Sequence, residues 1–418
     1  YFNFVSLINS KLTNKFSKMR KNFFTILGLL MISLVLASSN LKAQEEKKPE
    51  GYKFTIEKQI KTTSVKNQYK SGTCWSFSTL AFIESELIRM GKGEYDLSDM
   101  FCVRHAYSDK AEKFVRMHGS INFGGGGAAH DVTDMIRKYG IVPEEAYSGL
   151  NYGESKHDHG EVDAVLKAYI KAVADDNNKK LTTVWLTGFN GILDAYLGKL
   201  PENFTYKGKT YTPQSFAKEL GINADDYIEF TSFTHHPFYS KFILEVPDNW
   251  AWGEMYNLPL DEMMKTIDNA INNGYTVAWG ADVSEKGFSW KNGVAVVPDE
   301  EKPDLQGSER DKWEKLTERE KAAQLYTFEK PVKEKVITQE MRQLAFDNFQ
   351  TTDDHGMQIC GIAKDQNGNK YYIIKNSWSN EGKYDGYFYA SEAFVKFKTM
   401  DIMIHKDAAP KDIMKKLK

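Results

Sequence analysis

The chain has 418 residues, in which 55 Lys and Arg nearly balance 57 Asp and Glu for a formal net charge of −2. That balance excludes a chain-wide electrostatic drive toward nucleic acid or an anionic membrane surface, and the length suffices for one large or two ordinary hydrophobic cores. Three cysteines are too few for a disulfide framework.

Residues 1–43 read as lying outside the fold. Arg20-Lys21 is a basic start, Phe23 to Ala37 is a nearly unbroken apolar run, and Leu41-Lys42-Ala43 ends a small and polar stretch. This is the pattern of a secretory signal peptide cleaved after Ala43, with a run too short to span a bilayer comfortably. Met19 opens it, so residues 1–18 read as upstream of the true start. No Cys closes the apolar run, which argues against a lipid anchor. The expectation is an exported bacterial protein, periplasmic or extracellular, with no membrane attachment after cleavage. Cys102, in an aromatic and apolar context, reads as core.

From Gln44 to Lys61 the chain is charged and then extended, with Phe54, Ile56 and Ile60 able to dock it. Lys66 to Thr73 is a polar, Gly-containing loop that runs into a helix. From Cys74 to Met90, Phe77, Leu80, Ala81, Ile83, Leu87 and Ile88 form an apolar stripe, and Gly91 supplies a stop. Ser71 or Thr73 can cap the start, which puts Cys74 in the first turn. There the helix end carries roughly half a positive charge and favours the thiolate. The side-chain amide of Gln68 and the backbone N–H of Cys74 can converge beside the sulfur as donors to an oxyanion. Leu97 to Lys113 predicts a second helix. Gly124-Gly125-Gly126-Gly127 follows, with no Gly-Lys-Ser/Thr that would make it a phosphate loop. A helix over Asp131–Tyr139 closes at Gly140.

Beyond residue 150, Glu161–Ala174 and Asn223–Phe230 predict helices. His157-Asp158-His159 and His235-His236 lack further ligands at metal spacing, so neither a metal nor any other cofactor is expected. Met263–Asn273 predicts a helix and Gly274–Val283 a strand. The charged stretch 299–335 reads as a surface insertion with a solvated helix. Asp353 and Asp354 lead into an apolar strand headed by His355. A turn at Gln366-Asn367-Gly368-Asn369 returns a strand over Lys370–Lys375 that ends in Asn376-Ser377-Trp378, and Gly386–Tyr389 makes the last strand. A neutral imidazole beside Cys74 can take its proton. The Asn376 oxygen can accept from the other ring N–H, and the Trp378 indole can keep water off that bond.

Gln68-x5-Cys74-Trp75, the Gly-rich turn, Tyr139-Gly140-Ile141-Val142-Pro143, His355 and Lys375-Asn376-Ser377-Trp378, in that order, resemble the papain-like cysteine peptidases. Within them the pattern resembles the bleomycin hydrolase/aminopeptidase C branch. Two departures stand out. Ser71 replaces the first Cys of the common signature, which excludes a disulfide there. His and Asn also lie roughly twice as far from the Cys as the usual interval of about 130–150 residues, a difference that loop insertions account for.

The resemblance implies an α+β, two-lobe fold: a helical lobe (44–150) carrying Cys74, a helical insertion (151–262), and a β-barrel lobe (263–405) carrying His355 and Asn376. It implies catalysis by Cys74, His355, Asn376 and Gln68, supported by Trp75 and Trp378. Gly124 to Gly127 would pair with the substrate backbone, and the tail 406–418 would lie in or near the cleft with the Lys418 carboxylate meeting the substrate's amine. The expected activity is removal of N-terminal residues from peptides. The rivals are a secreted endopeptidase of the same fold and a non-enzymatic binding protein. Hexameric assembly is implied by resemblance alone, and the neutral charge speaks against a nucleic-acid partner.

Overall fold

The computed structural model describes residues 51–175, 180–301 and 306–418; the signal-peptide reading of residues 1–43 lies outside them. After β1 (Phe54–Gln59) come three helices: α1 (Cys74–Arg89), α2 (Asp99–Arg116) and α3 (Ala129–Tyr139). α1 is buried along its whole length from Trp75 to Leu87, as expected of a helix enclosed by its neighbours. α2 starts cleanly because Ser98 Oγ accepts from Phe101 N–H at 3.0 Å.

The chain continues through α4 (Gly160–Ala174), α5 (Val184–Leu197), the hairpin β2 (Phe204–Tyr206) and β3 (Lys209–Tyr211), and α6 (Pro213–Leu220). Next come β4 (Tyr227–Thr231), β5 (Lys241–Ile243), β6 (Glu254–Asn257), α7 (Leu260–Asn272), β7 (Val277–Ala281), β8 (Phe288–Ser289) and β9 (Val294–Ala295). The last part holds α8 (Gly307–Glu314), α9 (Glu318–Leu325), α10 (Gln339–Asp347), β10 (His355–Asp365), β11 (Lys370–Lys375), β12 (Tyr387–Ser391), α11 (Glu392–Lys398), β13 (Thr399–His405) and α12 (Lys411–Met414).

Among the described residues one eleven-stranded sheet runs in the order β5-β6-β4-β13-β7-β10-β11-β12-β9-β8, with β1 also on β10. β10 is the hub, flanked by β7 and β11 in antiparallel register and joined by β1. It shifts register at Ile359/Gly361, where a Cβ on Gly361 would overlap the Lys58 carbonyl of β1. Gln358 ties this strand to α1, donating to Ser85 Oγ at 2.8 Å and to the Ala81 carbonyl at 3.2 Å.

Two expectations change. Asn223–Phe230 is not a helix: a single 3-10 turn at Ala224–Asp226 leads into β4, which pairs antiparallel with β13. Tyr227-Ile228-Glu229-Phe230-Thr231 has the aromatic and β-branched character of a strand, and pairing with a distant partner decides the matter. The segment 151–262 is therefore not purely helical, since β4, β5 and β6 extend the main sheet beyond β13.

Candidate active site

Cys74 is the first residue of α1. Neither Thr73 nor Ser71 caps that helix as expected. Their hydroxyls bond each other at 2.5 Å, so no capping side chain covers the helix end at the sulfur. Strand β10 lies directly on this turn. A Cβ at Gly356 would sit 2.7 Å from Ser78 Oγ and 3.3 Å from the Trp75 Cα, so only glycine permits the approach that sets His355 and Cys74 in one pocket.

His355 is buried and fixed on two sides. Its Nε2 lies 2.7 Å from Asn376 Oδ1, and the Trp378 ring stacks on it at 4.7 Å and 26°. Trp290 braces Trp378 edge-on at 5.2 Å. The Asn376 oxygen also accepts from Ser377 N–H at 2.8 Å, which fixes it as the acceptor end of the amide. His355 Nε2 is then a donor, leaving Nδ1 as the free nitrogen. Burial pushes the imidazole down to about 4, although the Asn376 bond favours its charged form. Burial likewise pushes the Cys74 thiol up to about 12, with backbone hydrogen bonds from Gly356 and Trp75 opposing. Burial thus works against both charged forms, the thiolate and the imidazolium.

Gln68 is buried and tied to the Asn376 loop. Its backbone N–H donates to the Ser377 carbonyl at 2.8 Å, and its Oε1 accepts from Ser377 Oγ at 2.6 Å. Its side-chain NH2 is therefore the end left to donate elsewhere. Lys66 to Gln68 runs beside Ser377 to Ser379 through an Asn67–Trp378 bridge. One short contact thus positions Gln68, Asn376 and Trp378 together.

Trp75 Nε1 donates to the Gly125 carbonyl at 2.9 Å, and Lys110 Nζ donates to the carbonyls of Gly124 and Gly126. These three carbonyls each accept a hydrogen bond from within the chain. Gly126 and Gly127 also serve close packing. A Cβ at Gly126 would overlap the Asp248 carboxylate, and one at Gly127 would come within 2.9 Å of the Trp75 ring. Gly124 has open space around its Cα and no such requirement.

Lys418 is not brought to this group. Ala408, Ala409 and Ile413 are buried against α7 and the sheet, Lys265 and Lys416 bond Asp412 and Glu262, and Lys418 N–H donates to the Tyr239 carbonyl at 2.9 Å. The apolar side chains of the tail dock it there, and no residue of 406–418 lines the pocket beside Cys74. His157 and His159 are buried together under Phe77. His235 and His236 both face Glu245, at 3.0 and 2.9 Å, a third potential ligand that sequence spacing did not reveal.

The sequence also gave no warning that Asp248, Asp353 and Asp401 line the pocket with Cys74 and His355. Asp353 stands two places before His355, but Asp248 and Asp401 sit in segments without a motif.

The chain belongs to the Peptidase C1-like family, whose model matches residues 8–121 and 106–418. Aminopeptidase C of Lactobacillus delbrueckii subsp. lactis is 24% identical, over 87% of this chain and 83% of its own length. Aminopeptidase E of Lactobacillus helveticus is 22% identical, over 95% and 92%. The crystal structure of PepW from Lactobacillus rhamnosis superposes with a TM-score of 0.66 at 18% identity, over 87% of this chain and 84% of that one. These matches put the chain in the aminopeptidase C branch of the papain-like cysteine peptidases.

Proposed function

We propose that the protein is an exported thiol aminopeptidase in which a helix-borne Cys74 and a sheet-borne His355–Asn376 pair, one on each of two lobes, form the catalytic centre. The observation that carries this reading is His355, with Nε2 on Asn376 and its ring under Trp378, in the same pocket as Cys74 at an uncapped helix start. Proton transfer from Sγ to His355 Nδ1 generates the sulfur nucleophile that attacks the peptide carbonyl. The sulfur–carbon bond forms as the carbonyl π bond moves onto oxygen. The Cys74 N–H and the Gln68 NH2 donate to that oxyanion. His355 then protonates the departing amine, leaving a thioester. Water, deprotonated by the same imidazole, hydrolyses it and returns the thiol.

The relatives' names support a free-amine substrate, and the apolar run behind Arg20-Lys21 supports export. The test is Cys74→Ala. Turnover of amino-acid amides should vanish while the melting temperature stays near that of the parent; retained turnover refutes the assignment.

A further inference from the structure

Four aspartates line the pocket that holds Cys74 and His355: Asp248, Asp353, Asp354 and Asp401. Asp354 is engaged, accepting from the backbone N–H groups of Val283 and Ser284 and from the Ser284 hydroxyl. Asp248 lies across Gly126 and accepts from Asn122 Nδ2 at 3.1 Å. Asp353 and Asp401 differ: among the described residues neither carboxylate accepts a hydrogen bond or meets a cation at ion-pair distance.

Asp401 is only 9% exposed. It stands on β13 opposite Gly280 of β7, and its carboxylate reaches across that glycine, 2.7 Å from where a Cβ would be. Gly280 itself lines the pocket, so the carboxylate is directed into it.

Unpaired carboxylates gathered out of water are costly unless they take up a proton or a counter-charge arrives. Among the described residues no cation stands at ion-pair distance from Asp353 or Asp401. Lys110 serves the Gly124 and Gly126 carbonyls, His130 is bonded to Glu229, and Arg342 donates through Nε and Nη1 to the carbonyls of Ser232, Lys396 and Phe397 while its Nη2 is left without a hydrogen-bond partner among the described residues. Burial pushes the Asp401 carboxyl up to about 7, with Glu229 adding to the rise while His130 and Arg342 oppose it. Burial, with Asp401, Asp248 and Asp354 adding, raises Asp353 well above the ordinary carboxylate range. Lys418, whose terminal carboxylate is expected from the sequence to meet the substrate's amine, instead donates its backbone N–H to the Tyr239 carbonyl.

We propose that Asp401 and Asp353, with Asp248 beside them, are the receptor for a cationic nitrogen of the peptide substrate, close to the bond that Cys74 attacks. This rests on the peptidase reading above. The α-ammonium of the N-terminal residue is one source of that cation; a Lys or Arg side chain carries the same chemistry.

The experiment compares fluorogenic peptide amides bearing a free or an acetylated N-terminus, each with a neutral or a basic residue, on the full chain and on the Asp401→Asn and Asp353→Asn variants. The ratio of kcat/KM for cationic over neutral substrates should fall by about 10-fold or more in each variant, mainly through KM, as loss of a charge-assisted contact implies. A fall confined to free-amine substrates assigns the α-ammonium; one confined to acetylated basic substrates assigns the side chain. Asp353→Asn, on a partly exposed loop, keeps the test open if Asp401→Asn fails to fold. Turnover without a cationic preference in the parent, or a ratio unchanged within about twofold in both variants, overturns the receptor alone. No turnover of any substrate, with Cys74 unreactive to iodoacetamide, overturns the peptidase reading instead.

Discussion

In the proposed mechanism His355 works only if one tautomer and one ring orientation persist, and both are set by Asn376 Oδ1 at 2.7 Å. Asn376→Ala removes the acceptor and frees the ring to turn. The expected loss in kcat is on the order of 10²-fold, with KM little changed because Asn376 is assigned no contact with substrate. Steady-state kinetics on a free-amine amide measure the split, and a loss appearing only in KM would argue against a positioning role. The residues of this group were legible in the sequence because each sits in a short stretch whose chemistry is local. A sulfur heads an amphipathic helix, a His opens an apolar strand, and an Asn-x-Trp closes its partner. Asp401 and Asp248 were not legible. Each reads as an ordinary surface aspartate until β13 and the turn before β6 fold over the pocket.

At the scale of elements, what holds α1 to its surroundings is ionic as well as apolar. Lys66, one turn of loop before Gln68, lies 3.0 Å from Glu84 of α1, 3.1 Å from Asp99 of α2 and 2.8 Å from Asp96. Burial alone would lower its pKa, and these carboxylates hold it well above the ordinary value. Lys66→Met leaves Glu84 and Asp99 buried without their counter-charge, at a cost of about 3–5 kcal/mol in urea unfolding. Lys171→Met breaks the exposed pair with Asp175 and should cost no more than about 0.5 kcal/mol. Equal effects would mean that the buried network contributes nothing particular. α1, α3 and the β10–β11 hairpin were readable because periodicity and turn residues agreed. β4 was misread because Asn223 to Asp226 looks like a helix start, and its strand partner β13 lies near the other end of the chain.

Across the whole molecule, the helices around α1 and the sheet are joined by a contact that titrates. His130 on α3 places Nδ1 2.8 Å from Glu229 Oε2 on β4, with both side chains buried. Burial disfavours the imidazolium, but Glu229, helped by Asp131 and Asp134, outweighs it and raises the pKa from 6.5 to about 10. The folded protein therefore holds this proton more tightly than the unfolded chain does. The resulting stability is fully present below pH 6.5 and is lost as pH rises through about 10. Between those limits the parent should lose stability by an amount on the order of a few kcal/mol from this pair. His130→Gln, which keeps a donor but cannot titrate, should start from lower stability and lose less over the same window. Melting temperatures of the two proteins at a series of pH values across it provide the measurement. Parallel curves would show that the imidazole is neutral in the folded state and that the helices are held to β4 by packing and an uncharged hydrogen bond.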